Sequence, residues 1–121
     1  MDRKLLGRWG EQAAADYLKK QKYKIIGQNH ACRFGEVDLI AENKAYVVFV
    51  EVKLRKNAAF AEAREFVTAA KRRRIIAAAR HWLAANPTRK QPRFDVIEIY
   101  GADGRIERLN HIENAFGADY F

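Results

Sequence analysis

The stretch Gly35-Glu36-Val37-Asp38-Leu39-Ile40-Ala41-Glu42-Asn43-Lys44-Ala45-Tyr46-Val47-Val48-Phe49-Val50-Glu51-Val52-Lys53 decides how this chain reads. Two apolar runs flank the polar turn Glu42-Asn43-Lys44, which predicts a strand pair over Gly35 to Ala41 and Tyr46 to Leu54. By period two, Val37, Leu39, Ala41, Val48, Val50 and Val52 take one face, and Asp38, Ile40, Val47, Phe49, Glu51 and Lys53 the other. Strands that are apolar on both faces belong in the middle of a sheet covered by helices on both sides. In that setting Asp38, Glu51 and Lys53 are anomalies, because burying acids and an ammonium is expensive unless they pair or bind a metal.

Whether these groups meet depends on the parity of the turn. With Lys44 and Ala45 as the loop, Asp38 lies opposite Glu51, and Glu36 opposite Lys53. An odd loop would send the two acids to opposite faces. Converging carboxylates suit a hard divalent cation such as magnesium, which takes oxygen ligands and keeps several waters. Lys53, two residues after Glu51, would then sit beside the ion, where an ammonium can place a nucleophile or stabilise developing charge. Phosphodiester cleavage is the chemistry such a set performs. An isolated Glu-x-Lys is more often a structural ion pair at a strand end, and the acid on the preceding strand is what raises this one above that.

Around this pair, residues 3 to 20 read as a helix, with Leu5, Leu6, Trp9, Ala13, Ala14, Tyr17 and Leu18 recurring at three and four. Tyr23 to Cys32 is strand-like, and Asn57 to Arg64 reads as a loop. Glu65 to Ala85 is a long helix that Asn86-Pro87 must stop. Arg93 to Tyr100 and Arg105 to Leu109 are two more strands around the turn Gly101-Ala102-Asp103-Gly104, followed by a short tail of undecided form. No repeat, linker or low-complexity segment interrupts the chain. The expected architecture is α/β: one domain over residues 1–121, a three-layer αβα sandwich with a mixed central sheet of about five strands.

The 121 residues carry 23 Lys and Arg against 15 Asp and Glu, a formal charge of +8 that favours a polyanionic partner. Phosphate contacts dominate nucleic-acid affinity, so nucleic acid ranks ahead of a membrane surface, for which no basic amphipathic helix stands apart from the core pattern. The apolar runs fall short of the roughly 20 residues that span a bilayer. The N-terminal segment lacks an apolar h-region and a small-residue cleavage site, the pattern of a chain without a secretory signal. A single cysteine, Cys32, excludes an internal disulfide and fits a cytoplasmic setting.

On the second helix Lys71, Ile75, Ala78 and Trp82 follow one buried stripe, so Lys71 is expected to reach an acid or a phosphate. Arg72, Arg73 and Arg74 fan around the rest of its surface with Arg80, and Arg55 and Lys56 follow the proposed site. Together with Lys71 they are candidates for tracking a phosphate backbone without reading bases. His30, His81 and His111 lack zinc spacing, which assigns them core or surface roles. Trp9 and Trp82 fall on packing stripes, and Asp95 is expected to contact an arginine structurally.

Gly10-Glu11, Gly35-Glu36-Val37-Asp38-Leu39-Ile40, Phe49-Val50-Glu51-Val52-Lys53, Lys71 and Arg93-Phe94-Asp95-Val96 resemble the YraN-like bacterial family, itself similar to Holliday-junction resolvases of the restriction-endonuclease-like fold. The resemblance covers nearly the whole chain. It implies a magnesium- or manganese-dependent endonuclease acting on DNA rather than RNA, with branched or structured DNA as substrate. It maps the core catalytic acids and lysine onto Asp38, Glu51 and Lys53, and the accessory helix-borne acid onto Glu11. It further implies that Asp38, Glu51 and the Val52 carbonyl hold the metal. Val37 stands where many such nucleases have proline. A two-fold symmetric four-way junction would call for a homodimer. Two other classes compete: a non-catalytic nucleic-acid-binding module on the same fold, and a protein-interaction domain in which Asp38, Glu51 and Lys53 form a buried ionic network.

Overall fold

A computed structural model describes residues 3–55, 67–102 and 104–117. In chain order it contains helix α1 (Arg3–Lys20), strands β1 (Lys24–Cys32), β2 (Gly35–Glu42) and β3 (Tyr46–Arg55), helix α2 (Ala69–Ala85), and strands β4 (Gln91–Ala102) and β5 (Arg105–Phe116). The strands form one sheet in the order β1-β2-β3-β4-β5. Each neighbouring pair is antiparallel except β3 and β4, which run parallel from Tyr46–Gln91 to Arg55–Tyr100. Parallel neighbours need a crossover, and α2 lies within it. The sheet is therefore mixed.

The two helices cover opposite faces. Ala14, Ala15 and Leu18 of α1 bury against Leu39, Ala41, Val48, Val50, Ile97 and Ile99. Ile75, Ile76, Ala78 and Ala79 of α2 bury against Ile40, Val47, Phe49, Phe94 and Val96. Trp9 packs on the first cluster and Trp82 on the second, where its ring meets Phe49 edge-on. This is the three-layer αβα arrangement expected from strands apolar on both sides.

At the β2–β3 turn, Asn43 Oδ1 accepts the N–H groups of Ala45 and Tyr46, and Asn43 N–H donates to the Tyr46 carbonyl. Lys44 and Ala45 thus form the tip, and the register Leu39–Val50, Ile40–Phe49, Ala41–Val48 has the expected even parity.

Three details differ from the sequence reading. The second helix begins at Ala69 rather than Glu65: Thr68 is extended and its hydroxyl accepts the Lys71 N–H, capping the helix there. Residues 57–64 and Glu65 lie outside the described residues. The last strand continues to Phe116 instead of ending at Leu109. A register shift opposite Phe94–Val96 and a left-handed Asn114 (φ 51°) break its alternation, which hides the strand from a period-two search. Finally, Val37 packs with Ile40 on the α2 side, not with Leu39 and Ala41. Alternation breaks at Asp38, which the β1–β2 register sets opposite Asn29, a residue with φ 48°.

Candidate active site

That break positions the first acid. β2 ladders with β3 only as far as Leu39–Val50, and beyond it the Asp38 carboxylate takes the place of a backbone partner, its Oδ2 accepting the Val52 N–H at 2.8 Å. Asp38 thereby lies at the opening between two strands. Glu51, on the α2 face of β3, is only 4% exposed. The two carboxyl groups come within hydrogen-bonding reach of each other. Burial first, then the Glu51 charge and the more distant Glu11, push the Asp38 carboxyl up to about 7, against the pull of the Val52 N–H.

Two lysines answer the Glu51 charge from one side. Lys71 Nζ lies 3.1 Å and Lys53 Nζ 3.7 Å from Glu51 Oε1. Lys71 comes from the first turn of α2, reached because Thr68 starts the helix three residues earlier. Burial alone would lower its ammonium, and Glu51 overrides this, leaving it raised. Glu36 is exposed and lies near enough to Lys71 to reinforce the effect. Glu11, half-buried on α1, lies near enough for its charge to act on Asp38; Gly10 before it lies against the Leu54 side chain, where a Cβ would come within 2.6 Å of Leu54 Cδ2.

Asp38, Glu51, Lys53, Lys71 and Glu11 are thus brought into one neighbourhood from β2, β3, α2 and α1. Val52 enters it through its N–H. Among the described residues no three His, Cys, Asp or Glu side chains form a ready-made metal cage. The Asp38–Glu51 pair instead offers hard oxygen donors from two carboxylates, the donor type that suits magnesium or manganese. An Asp38 that resists ionisation beside Glu51 marks a place where added positive charge is favourable.

The arginines divide. Arg55 Nε lies 3.5 Å from Glu98 Oε2, both side chains being largely buried. Arg72 Nε donates to the Val67 carbonyl, and its guanidinium covers the Phe116 ring. Both are tied into structural contacts, whereas Arg73 and Arg74 are exposed. Lys56 lies outside the described residues.

Two polar groupings draw together residues far apart in the chain. Asp95, fully buried, accepts a bidentate pair from Arg93, a bond from the Asn114 N–H, and a 2.7 Å contact with His111 Nε2, whose Nδ1 meets the Tyr17 hydroxyl. Burial would raise the Asp95 carboxyl, but these donors outweigh it and hold it below the usual range. The expected Asp95–arginine contact is the core of this network, which joins α1, β4 and β5. His30 Nε2 and His81 Nδ1 lie 3.0 Å apart, linking β1 to α2. Partners 51 and 94 residues apart leave no local spacing signal.

Residues 10–99 match the model of a family described as "Uncharacterised protein family UPF0102". Proteins named only as UPF0102 proteins are similar over almost their full lengths. One from Symbiobacterium thermophilum is 46% identical over 93% of this chain and 97% of its own. Another, from Pelotomaculum thermopropionicum, is 44% identical over 94% and 97%. A third, from Caldanaerobacter subterraneus subsp. tengcongensis, is 42% identical over 96% and 98%. With a family match spanning the whole site and relatives this similar end to end, the chain belongs to the UPF0102 family.

Proposed function

We propose that this protein is a magnesium- or manganese-dependent endonuclease that hydrolyses phosphodiester bonds in DNA, with branched or otherwise structured DNA as substrate. The observation that carries the reading is the meeting of Asp38 and Glu51 at the end of β3, with Lys53 and Lys71 both directed at Glu51. A structural ion pair needs one acid and one base. A desolvated second carboxyl alongside them raises the electrostatic cost and makes sense when a cation is to be held.

Asp38 and Glu51 would hold the ion, with the Val52 carbonyl as a further oxygen ligand. A bound divalent ion supplies Lewis acidity toward a phosphoryl oxygen and lowers the pKa of a water. Hydrolysis forms one bond from the water oxygen to phosphorus and breaks one phosphorus–ester bond, the leaving oxygen taking up a proton. Lys53, on the same face as Glu51 and 28% exposed at its side chain, orients the water and offsets charge on the phosphate. Glu11 supports the water or a second ion from α1. Lys71, whose side chain is 40% exposed, is placed to turn its ammonium to a phosphate oxygen. Arg73 and Arg74 extend the basic surface for the nucleic-acid backbone. A homodimer would present two such sites to a two-fold symmetric junction.

The test is cleavage of linear, flapped, four-way-junction and RNA substrates with and without manganese. The wild type is expected to cut DNA only with the ion. Lys53→Ala is expected to lose at least about a hundredfold in rate while retaining most of its binding. Metal-independent cutting, or an undiminished rate in Lys53→Ala, overturns the assignment; salt-dependent binding with no turnover under any condition identifies a non-catalytic binding module instead.

A further inference from the structure

The tip of the β1–β2 hairpin is an arginine and a phenylalanine, Arg33-Phe34, where a two-residue turn ordinarily carries Gly, Asn or Asp. Among the described residues, Phe34 is the most exposed large hydrophobic side chain, at 69%. The Arg33 guanidinium lies 5.6 Å from the centre of its ring, so a flat aromatic face and a cation are presented together. The tip is held in place: Cys32 pairs with Gly35, and Gly35 lies directly beneath the Arg74 backbone of α2, where a Cβ would overlap the Arg74 carbonyl.

Phe34 and Arg33 line a groove of about 400 Å³ together with Glu36, Lys71 and Arg74. Lys71 also contacts Glu51, so this groove borders the candidate active site. Three cations against one carboxylate give it a positive balance suited to a sugar-phosphate backbone. An exposed ring beside such a track is the arrangement that stacks a nucleobase. Bases inside a continuous duplex are already stacked on both faces. The ring has a partner only where a base is unpaired or stands at the end of a stack.

We propose that Phe34, supported by Arg33, is a specificity-determining stacking platform for an unpaired nucleotide next to the phosphate to be cut, which selects flapped, gapped or branched nucleic acid over continuous duplex. The inference rests on the nuclease reading for the position of the cut but makes a claim about binding that is measured without catalysis.

The experiment compares wild type, Phe34→Ala and Phe34→Trp in EDTA, using a continuous DNA duplex and the same duplex carrying a single-stranded flap with 2-aminopurine at its first unpaired position. Wild type is expected to prefer the flapped duplex and quench the probe. Phe34→Ala should bind the flapped duplex about tenfold more weakly, leave the continuous duplex unaffected and lose the quenching. Phe34→Trp should restore both. Equal weakening on the two duplexes, no weakening, or a shift of Phe34→Ala to a smaller sedimenting species, which would make the ring a self-association contact, each overturns the proposal. Failure of the wild type to bind either DNA sinks this inference and the nuclease reading together. Ring-dependent quenching without manganese-dependent cleavage leaves the platform standing and removes the nuclease reading alone.

Discussion

At the scale of single residues, Asp38 holds the most informative position. Its carboxyl is pushed up to about 7 by burial and by Glu51, whereas in the unfolded chain it would ionise near the ordinary value of about 3.9. Between those values the folded state binds the extra proton, so stability falls as pH rises through that window, and the full penalty is present above pH 7. In metal-free buffer Asp38→Asn is therefore expected to stabilise the fold by roughly 1–3 kcal/mol at about pH 8 and to give no gain below about pH 4, as read by thermal unfolding. A loss of stability at the higher pH would instead mark the pair as a stabilising ionic network. Asp38, Glu51 and Lys53 were legible in sequence because charges inside strongly apolar runs stand out. Their convergence followed from the even parity of the Lys44-Ala45 tip. The displacement of Val37 to the α2 side was not legible, since nothing in the period-two pattern of β2 marks a break at Asp38.

Among the elements, α2 does most to complete the site, because it delivers Lys71 to Glu51 from above the sheet. Its approach to β2 depends on Gly35, whose missing side chain admits the Arg74 backbone. Gly35→Ala forces strand and helix apart and is expected to cost about 1–3 kcal/mol in urea unfolding, with Lys71 drawn away from Glu51. A cost below about 0.5 kcal/mol would show that the contact yields easily. The helix stripe of Lys71, Ile75, Ala78 and Trp82 was readable, since a 3.6-residue period survives in sequence. The start of α2 was not: Ala- and Arg-rich sequence favours helix throughout, and only Thr68, whose hydroxyl caps the first turn, settles it. The far half of β5 was hidden for the opposite reason, its period of two being broken near Asn114.

For the whole molecule, the +8 charge and the exposed arginines of α2 suit the proposed nucleic-acid partner, whose binding would be governed by counterion release. Engaging about four phosphates predicts roughly a hundredfold loss of affinity for any DNA between about 50 and 200 mM salt, read by fluorescence anisotropy. A flat salt dependence would contradict a phosphate-tracking surface. The sandwich itself was legible as a whole because β2 and β3 are apolar on both faces. The Asp95–Arg93–His111–Tyr17 network was not, because it joins α1 to the far strands and appears only once the sheet is assembled. No described helix is long and apolar enough to cross a membrane. The proposed chemistry needs a cation held between Asp38 and Glu51, and manganese binding followed by electron paramagnetic resonance reads this directly. Wild type should bind the ion at a carboxylate site, more tightly as pH rises through about 7 and Asp38 ionises. Asp38→Asn should lose that site while remaining folded. Manganese bound equally by wild type and Asp38→Asn, or by neither, would contradict the account.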